Sequence, residues 1–319
     1  MNNALPTSIF IILFLLTGCE PNTGAEMAKE RPSVKAMTLN HSLGETIIQS
    51  TPKRVIALDM NAVDTLSQLN IPVIGMPKDF IPHFLPSYKN NSNVQDLGAI
   101  IQPNLERVYS LNPDLILISS LQATHYKALN ELAPTYYFDI DYQNSGADHI
   151  EKINTYMLNL GRIFNKQELA QEKVATLNAK LKDTKQLITD RPESAMIVLH
   201  NNGTLRYFGV QSRYGFIYNE LGVKPASQET ATSAHGQPIS HEFMYKYNPD
   251  IIYVIDRTAV MENKAAVNLD DLNNPLLKKT NAWKNNRVRI VDSEAWYITG
   301  ASYSSLMIML DDITQGYVN

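Results

Sequence analysis

The chain has a single cysteine, Cys19, in 319 residues. This excludes a disulfide framework and any zinc site built from several thiolates. An excess of charge of one sign is also missing. Lys and Arg number 28 against 32 Asp and Glu, and no basic stripe is present, so nucleic acid is not an expected partner. Catalytic signatures are absent too. There is no Gly-x-Ser-x-Gly elbow and no P-loop, which argues against a hydrolase of that kind and against an ATPase. His241-Glu242 opens like a zinc-protease motif, but Tyr245 stands where the second metal-binding His is needed. The seven His are dispersed, whereas a bare zinc or manganese ion requires several converging ligands. Beyond the amino terminus no apolar stretch approaches the about 20 residues that span a bilayer.

Residues 1–18 carry no charged side chain, and Ile9 to Leu16 is an unbroken apolar run. Such a run is too short for a stable span and suits the apolar core of a signal peptide. It closes on Leu16-Thr17-Gly18-Cys19, which resembles the lipobox of bacterial lipoproteins, although the segment before it lacks the usual Lys or Arg. The resemblance implies cleavage after residue 18 and lipidation of Cys19. Residues 19–37 read as a flexible tether: Glu20 to Lys35 is polar and contains Pro21, Gly24 and Pro32.

The rest of the chain shows a weak repeat. Arg54-Val-Ile-Ala-Leu58 and Ala195-Met-Ile-Val-Leu199 are buried-strand patterns. Asn112-Pro113-Asp114 and Asn248-Pro249-Asp250 each place a turn before a short apolar run. Apolar strands alternating with helical stretches predict two similar α/β lobes with mainly parallel sheets, over residues 38–160 and 193–319. Residues 161–192 are expected to join them. Asn165 to Arg191 lacks Gly and Pro, begins with a capping-box-like Asn165 and Glu168, and repeats Leu169, Leu177, Leu181 and Ile188 at helical spacing. One long connecting helix follows, with a ligand cleft between the lobes at the carboxyl ends of the strands.

Polar, cationic and aromatic residues follow the apolar runs of the second half: Arg213 and Tyr214, Arg257, and Trp296 and Tyr297, with His235 on a Gly-containing loop. Each alone has an ordinary explanation. Arg257 could pair with Asp256 or Glu262, and Trp296-Tyr297 could be core. Together, Ser42-Leu43-Gly44-Glu45, Pro113-Asp114-Leu115-Ile116, Phe208-Gly209-Val210-Gln211-Ser212-Arg213-Tyr214-Gly215, His235-Gly236, Val254-Ile255-Asp256-Arg257 and Trp296-Tyr297 resemble the periplasmic binding proteins for ferric siderophores, especially the lipoproteins that take catecholate or mixed catecholate chelates.

The resemblance implies a substrate-binding protein of an ABC importer rather than an enzyme. It would be a monomer anchored through Cys19 on the periplasmic or outer face of a bacterial cytoplasmic membrane, delivering its ligand to a permease with its ATPase. No permanent cofactor is implied; the cargo is an Fe(III) siderophore. Arg213 and Arg257 would face the anionic chelate, and His235 and Tyr297 could complete the iron coordination. Tyr214, Trp296 and Tyr303 are candidates for stacking. The family's third Arg is replaced by Leu121, which implies a cargo of lower negative charge. Asp64 and Glu220 are candidate carboxylates for permease docking. Haem, cobalamin or a bare metal ion are alternative cargoes for the same architecture, and an envelope hydrolase is the outsider.

Overall fold

The computed structural model describes Met1 and residues 36–318, except 144, 147, 230–232 and 234; Cys19 and the signal and tether segments before residue 36 lie outside the described residues. Residues 35–319 form one compact unit. Two sheets organise it. The first is wholly parallel, in the order Gln95–Asp96, Gly75–Met76, Val55–Ala57, Leu115–Ser119, Thr135–Phe138. The second has a parallel centre, with Ser194–Asn201 beside Ile251–Asp256 and then Val288–Ile290. Its other edge is antiparallel: Thr204–Phe208 folds back on Ser194–Asn201 and pairs with Gln237–Ile239.

The unbroken apolar runs reflect burial on both faces of each strand. In the first sheet Val55, Ala57, Leu115 and Leu117 face a core common to both lobes, while Ile56, Ile116 and Ile118 face an outer cluster. The second sheet repeats this, with Ala195, Ile197 and Leu199 inward and Met196 and Val198 outward. The common core is completed by the helices Met60–Gln68, His149–Ile163, Gln167–Ile188 and Tyr303–Tyr317.

The connecting helix is Gln167–Ile188, 22 residues or about 33 Å. It starts later than the sequence predicts because Asn165 ends the preceding helix instead of capping this one. Asn165 is left-handed (φ 55°), Lys166 N donates to Gly161 O at 2.7 Å, and Asn165 N to Arg162 O at 3.5 Å. This is a Schellman turn, the ending for which Asn is suited. A Cβ on Gly161 would lie 2.5 Å from Ala170 Cβ, so the glycine allows the two helices to meet.

The two Asn-Pro-Asp segments do the same work in each lobe. Asn112 and Asn248 are both left-handed. Asp114 accepts from Lys53 N (2.7 Å) and Arg54 N (2.8 Å), and Asp250 accepts from Ser194 N (3.0 Å). Each aspartate thus clamps the start of its lobe's first central strand.

Asp64 corrects the docking expectation. It is fully buried, and its carboxylate accepts from Ser304 N (2.8 Å) and Ser304 Oγ (2.6 Å) at the start of the C-terminal helix. Helical spacing turned this residue inward, where it ties the first lobe to the last helix. Asp64→Ala is expected to lower unfolding free energy by about 1–3 kcal/mol, since buried donors lose their acceptor. Urea denaturation checks this; an unchanged midpoint and slope would show that the contact is not stabilising.

Candidate functional site

Residues beyond the carboxyl ends of strands in both sheets come together: Tyr142 follows Thr135–Phe138 of the first sheet and lies against Arg213, which follows Thr204–Phe208 of the second. Adjacent strands bring two second-lobe groups together. His200 pairs with Asp256, so the next residues, Asn201 and Arg257, emerge side by side. Arg257 Nη1 donates to Asn201 Oδ1 at 3.0 Å, and its Nε donates to Tyr297 OH at 2.7 Å. Tyr297 sits on a π-helical turn, Glu294–Thr299, a distortion that often accompanies functional sites.

Arg213 approaches the same ring. Its guanidinium lies 5.4 Å from the Tyr297 ring centre, and that of Arg257 5.5 Å. Arg213 Nη2 donates to Tyr297 O at 2.7 Å and Trp296 O at 3.3 Å. The group also lies 4.9 Å over the ring of Tyr142 from the first lobe. Such cation–π contacts favour the charged guanidinium. Gly300 is required here: it is left-handed (φ 76°), and a Cβ would come within 3.4 Å of Arg213 Nη2.

Neither guanidinium forms an ion pair with a carboxylate among the described residues. Asp256 instead contacts His200 (3.1 Å) and caps the helix that begins at Arg257, through Ala259 N. Glu262 pairs with Lys264 and accepts from Asn202. Arg213 Nε is buried without a hydrogen-bond partner among the described residues. Two half-buried cations without a counter-charge among the described residues make this surface receptive to an anion.

His235 is exposed on its loop, which Arg206 holds by donating to His235 O (2.6 Å) and Gly236 O (2.7 Å). Partial burial lowers the imidazole pKa, and the charges of Arg213, Arg257 and Arg206 push it the same way. A neutral ring with a free lone pair is the form that binds metal.

Other expectations are corrected. Trp296 is fully buried, donating from Nε1 to Asp312 Oδ2 at 2.8 Å. Tyr214 is 1% exposed, and its hydroxyl donates to Trp296 O at 2.9 Å. Both aromatics follow strands but turn into the core beneath the site, so they shape it from below and are not surfaces for a ligand. Tyr303 lies under Lys173 of the connecting helix, 5.0 Å from its amine. Glu220 is half-buried and accepts from His149 N (2.9 Å) and Ile150 N (3.4 Å), where a helix N-terminus attracts a carboxylate. Its carboxylate is thus already engaged at that helix end. Leu121 is 39% exposed, an apolar group after the first-lobe strand Leu115–Ser119.

Sequence reasoning missed Tyr142, Asn201, Arg206 and a cross-lobe contact at His83. His83 N and Nδ1 lie 2.6 and 2.9 Å from Glu294 Oε2, and Nε2 lies 3.3 Å from Asp292 Oδ2. Only Asn201 left a trace, as the residue after an apolar strand. The others depend on contacts between distant segments.

Known proteins resemble this chain over most of its length. The model of the periplasmic binding protein family matches residues 55–295. The chain belongs to that family. It is 53% identical over 305 residues to the ferric-anguibactin-binding protein FatB of Vibrio anguillarum, covering 96% of this chain and 94% of FatB. It is 33% identical over 298 residues to the petrobactin-binding protein YclQ of Bacillus subtilis, covering 92% and 90%. Among solved structures, the siderophore binding protein BauB, bound to a complex of two acinetobactin molecules and ferric iron, superposes with a TM-score of 0.86 at 51% identity. That match covers 89% of this chain and 99% of BauB. The two-lobed α/β fold is thus shared with binding proteins.

His149 supports the site from behind. It is buried, stacked on Phe216 at 4.3 Å, with Nε2 donating to Gly300 O at 3.3 Å. Burial lowers its pKa from 6.5 to about 4. Between those values the unfolded chain takes up a proton that the native chain refuses. Its contribution is full above the unfolded value and is lost as pH falls toward the folded one, by about 3 kcal/mol in all. Asp312, raised to about 6 by burial, acts in the opposite sense. The measurement is therefore a difference: His149→Phe is expected to lose less stability than wild type between about pH 7 and about pH 4 in urea unfolding. Equal losses would show that His149 is not the titrating group.

Proposed function

We propose that this protein is the substrate-binding component of an ABC importer and that its cargo is a ferric siderophore of catecholate or mixed catecholate type. The observation that carries the reading is the pair of guanidinium groups, Arg213 and Arg257, flanking Tyr297 without a carboxylate partner among the described residues. Ferric catecholates are anionic, and Arg offers planar, permanent charge with several donors. The relatives support it: FatB is named for binding ferric anguibactin, YclQ for binding petrobactin, and BauB is a siderophore binding protein that holds ferric iron with two acinetobactin molecules.

Fe(III) is a hard ion served by phenolate and catecholate oxygens. Tyr297 and His235 are the groups that could bind iron where the chelator leaves positions open. The Tyr297 oxygen accepts from Arg257 and keeps a lone pair for a further partner. A bare-ion receptor is less well supported: no three His, Cys, Asp or Glu side chains gather into a metal cage among the described residues. Leu121, exposed after the first-lobe strand, stands where the family's third guanidinium is expected, which favours a cargo of modest negative charge. The protein would work without catalysis, as a monomer lipid-anchored at Cys19, passing its ligand to the permease.

Charge-assisted hydrogen bonds contribute roughly 1.5–3 kcal/mol each. Arg257→Gln is therefore expected to weaken binding of a ferric catecholate about tenfold to a hundredfold, measured by quenching of intrinsic fluorescence. Arg213→Lys should also weaken it, because a lysine cannot reproduce the planar donor set. Unchanged affinity in both variants would remove the guanidinium groups from the ligand site. A second expectation is that Tyr297→Phe shifts the visible charge-transfer band of a ferric chelate with open coordination positions. An identical spectrum would exclude Tyr297 as an iron ligand.

A further inference from the structure

A cavity of about 250 Å³ lies to one side of the site, between the lobes. Its carbon walls come from Phe80, Ile81 and Pro82 of the first lobe and Val260, Met261 and Ile298 of the second. Val260 and Met261 stand three and four residues after Arg257 on the helix Arg257–Glu262, so all three share a helix face. Ile298 follows Tyr297 on the π-helical turn. The cavity is therefore walled by the same two elements that carry the anion-holding groups.

Several polar groups at the cavity are already engaged. Lys78 Nζ donates to Asn91 O at 2.7 Å, and Asp79 Oδ2 accepts from Ile100 N at 3.2 Å. Glu294 Oε2 accepts from His83 N at 2.6 Å, so the wall-forming loop is held across the lobes. Lys89 and Asn263, both exposed, complete the lining. The charged side chains of the lining, Lys78, Lys89, Asp79 and Glu294, are balanced in sign and so favour no single ionic group, whereas a hydrocarbon group would meet Ile81, Met261 and Ile298, which are only partly buried.

We propose that this cavity is a second subsite of the cleft, which takes an uncharged, mainly hydrocarbon arm projecting from the anionic iron chelate. The inference rests on the ferric-chelate reading above and adds the class of substituent the ligand carries. Burying such an arm removes apolar surface from water, and a ring of phenyl size is worth about tenfold or more in affinity.

Two ferric complexes test it: one of an N-methyl catechol amide and one of an N-phenylethyl catechol amide. They share the iron-binding head and differ only in the arm. Wild type is expected to bind the phenylethyl complex about tenfold more tightly. Met261→Trp fills the cavity from the second lobe and Ile81→Trp fills it from the first. Each should abolish the preference while leaving the N-methyl complex bound as in wild type. Arg257→Gln should weaken both complexes and keep their ratio. A preference that survives both tryptophan variants, or no preference in wild type, overturns the subsite. Failure of wild type to bind either complex overturns the ferric-chelate reading and the subsite with it.

Discussion

The guanidinium of Arg213 is where the two lobes and the site come together. It lies over Tyr142 of the first lobe, donates to the carbonyls of the π-helical turn, and shares the ring of Tyr297 with Arg257. Holding a cation in a half-buried place without an acidic partner is costly, so the surroundings must sustain it by aromatic faces and backbone carbonyls. That arrangement leaves the positive charge available to something outside the protein. The buried Tyr214 and Trp296 belong to the same scheme: they stiffen the floor on which Arg213 rests and expose nothing themselves.

The lobes are connected by more than one helix. Asp64 holds Ser304, Asn61 Oδ1 accepts from Ala301 N at 2.9 Å, and Ser145 N donates to Ser212 O at 3.0 Å. His83 adds an exposed contact to Asp292 and Glu294 beside the turn that carries Tyr297. A core running through four shared helices makes large hinge motion costly, because opening would have to expose packed apolar surface. A cleft of nearly fixed shape suits discrimination among chelates by fit and charge.

The fold was largely readable because both sheets are covered on both sides. Complete burial of strand residues turns into unbroken apolar runs, and these alternate with helices in only a few possible topologies. The candidate site was readable only in part. Arg213, Arg257 and Tyr297 were found by their places after strands, His235 by its Gly-containing loop, and all four by family resemblance; the structure gathers Arg213, Arg257 and Tyr297 into direct contact. Trp296 and Tyr214 occupy similar sequence contexts and turned out to be internal. Whether a side chain after a strand faces the cleft or the core depends on a rotation of the backbone that local sequence does not state.

The Asn-Pro-Asp repeat shows where the boundary falls. From local chemistry alone, Asn is suited to the left-handed turn and Pro-Asp to the entry of a strand, so the turn was determined by the residues themselves. That each aspartate reaches back about 60 residues to clamp the opening of its lobe's central strand was decided by the tertiary fold, which alone brings Asp114 to Arg54 and Asp250 to Ser194. The same holds at the site. The sequence by itself determined which residues carry permanent charge and which can bind hard iron. Only packing decided that Arg213 and Arg257 keep that charge without a carboxylate partner among the described residues, because the nearby carboxylates of Asp256 and Glu262 are turned to other partners.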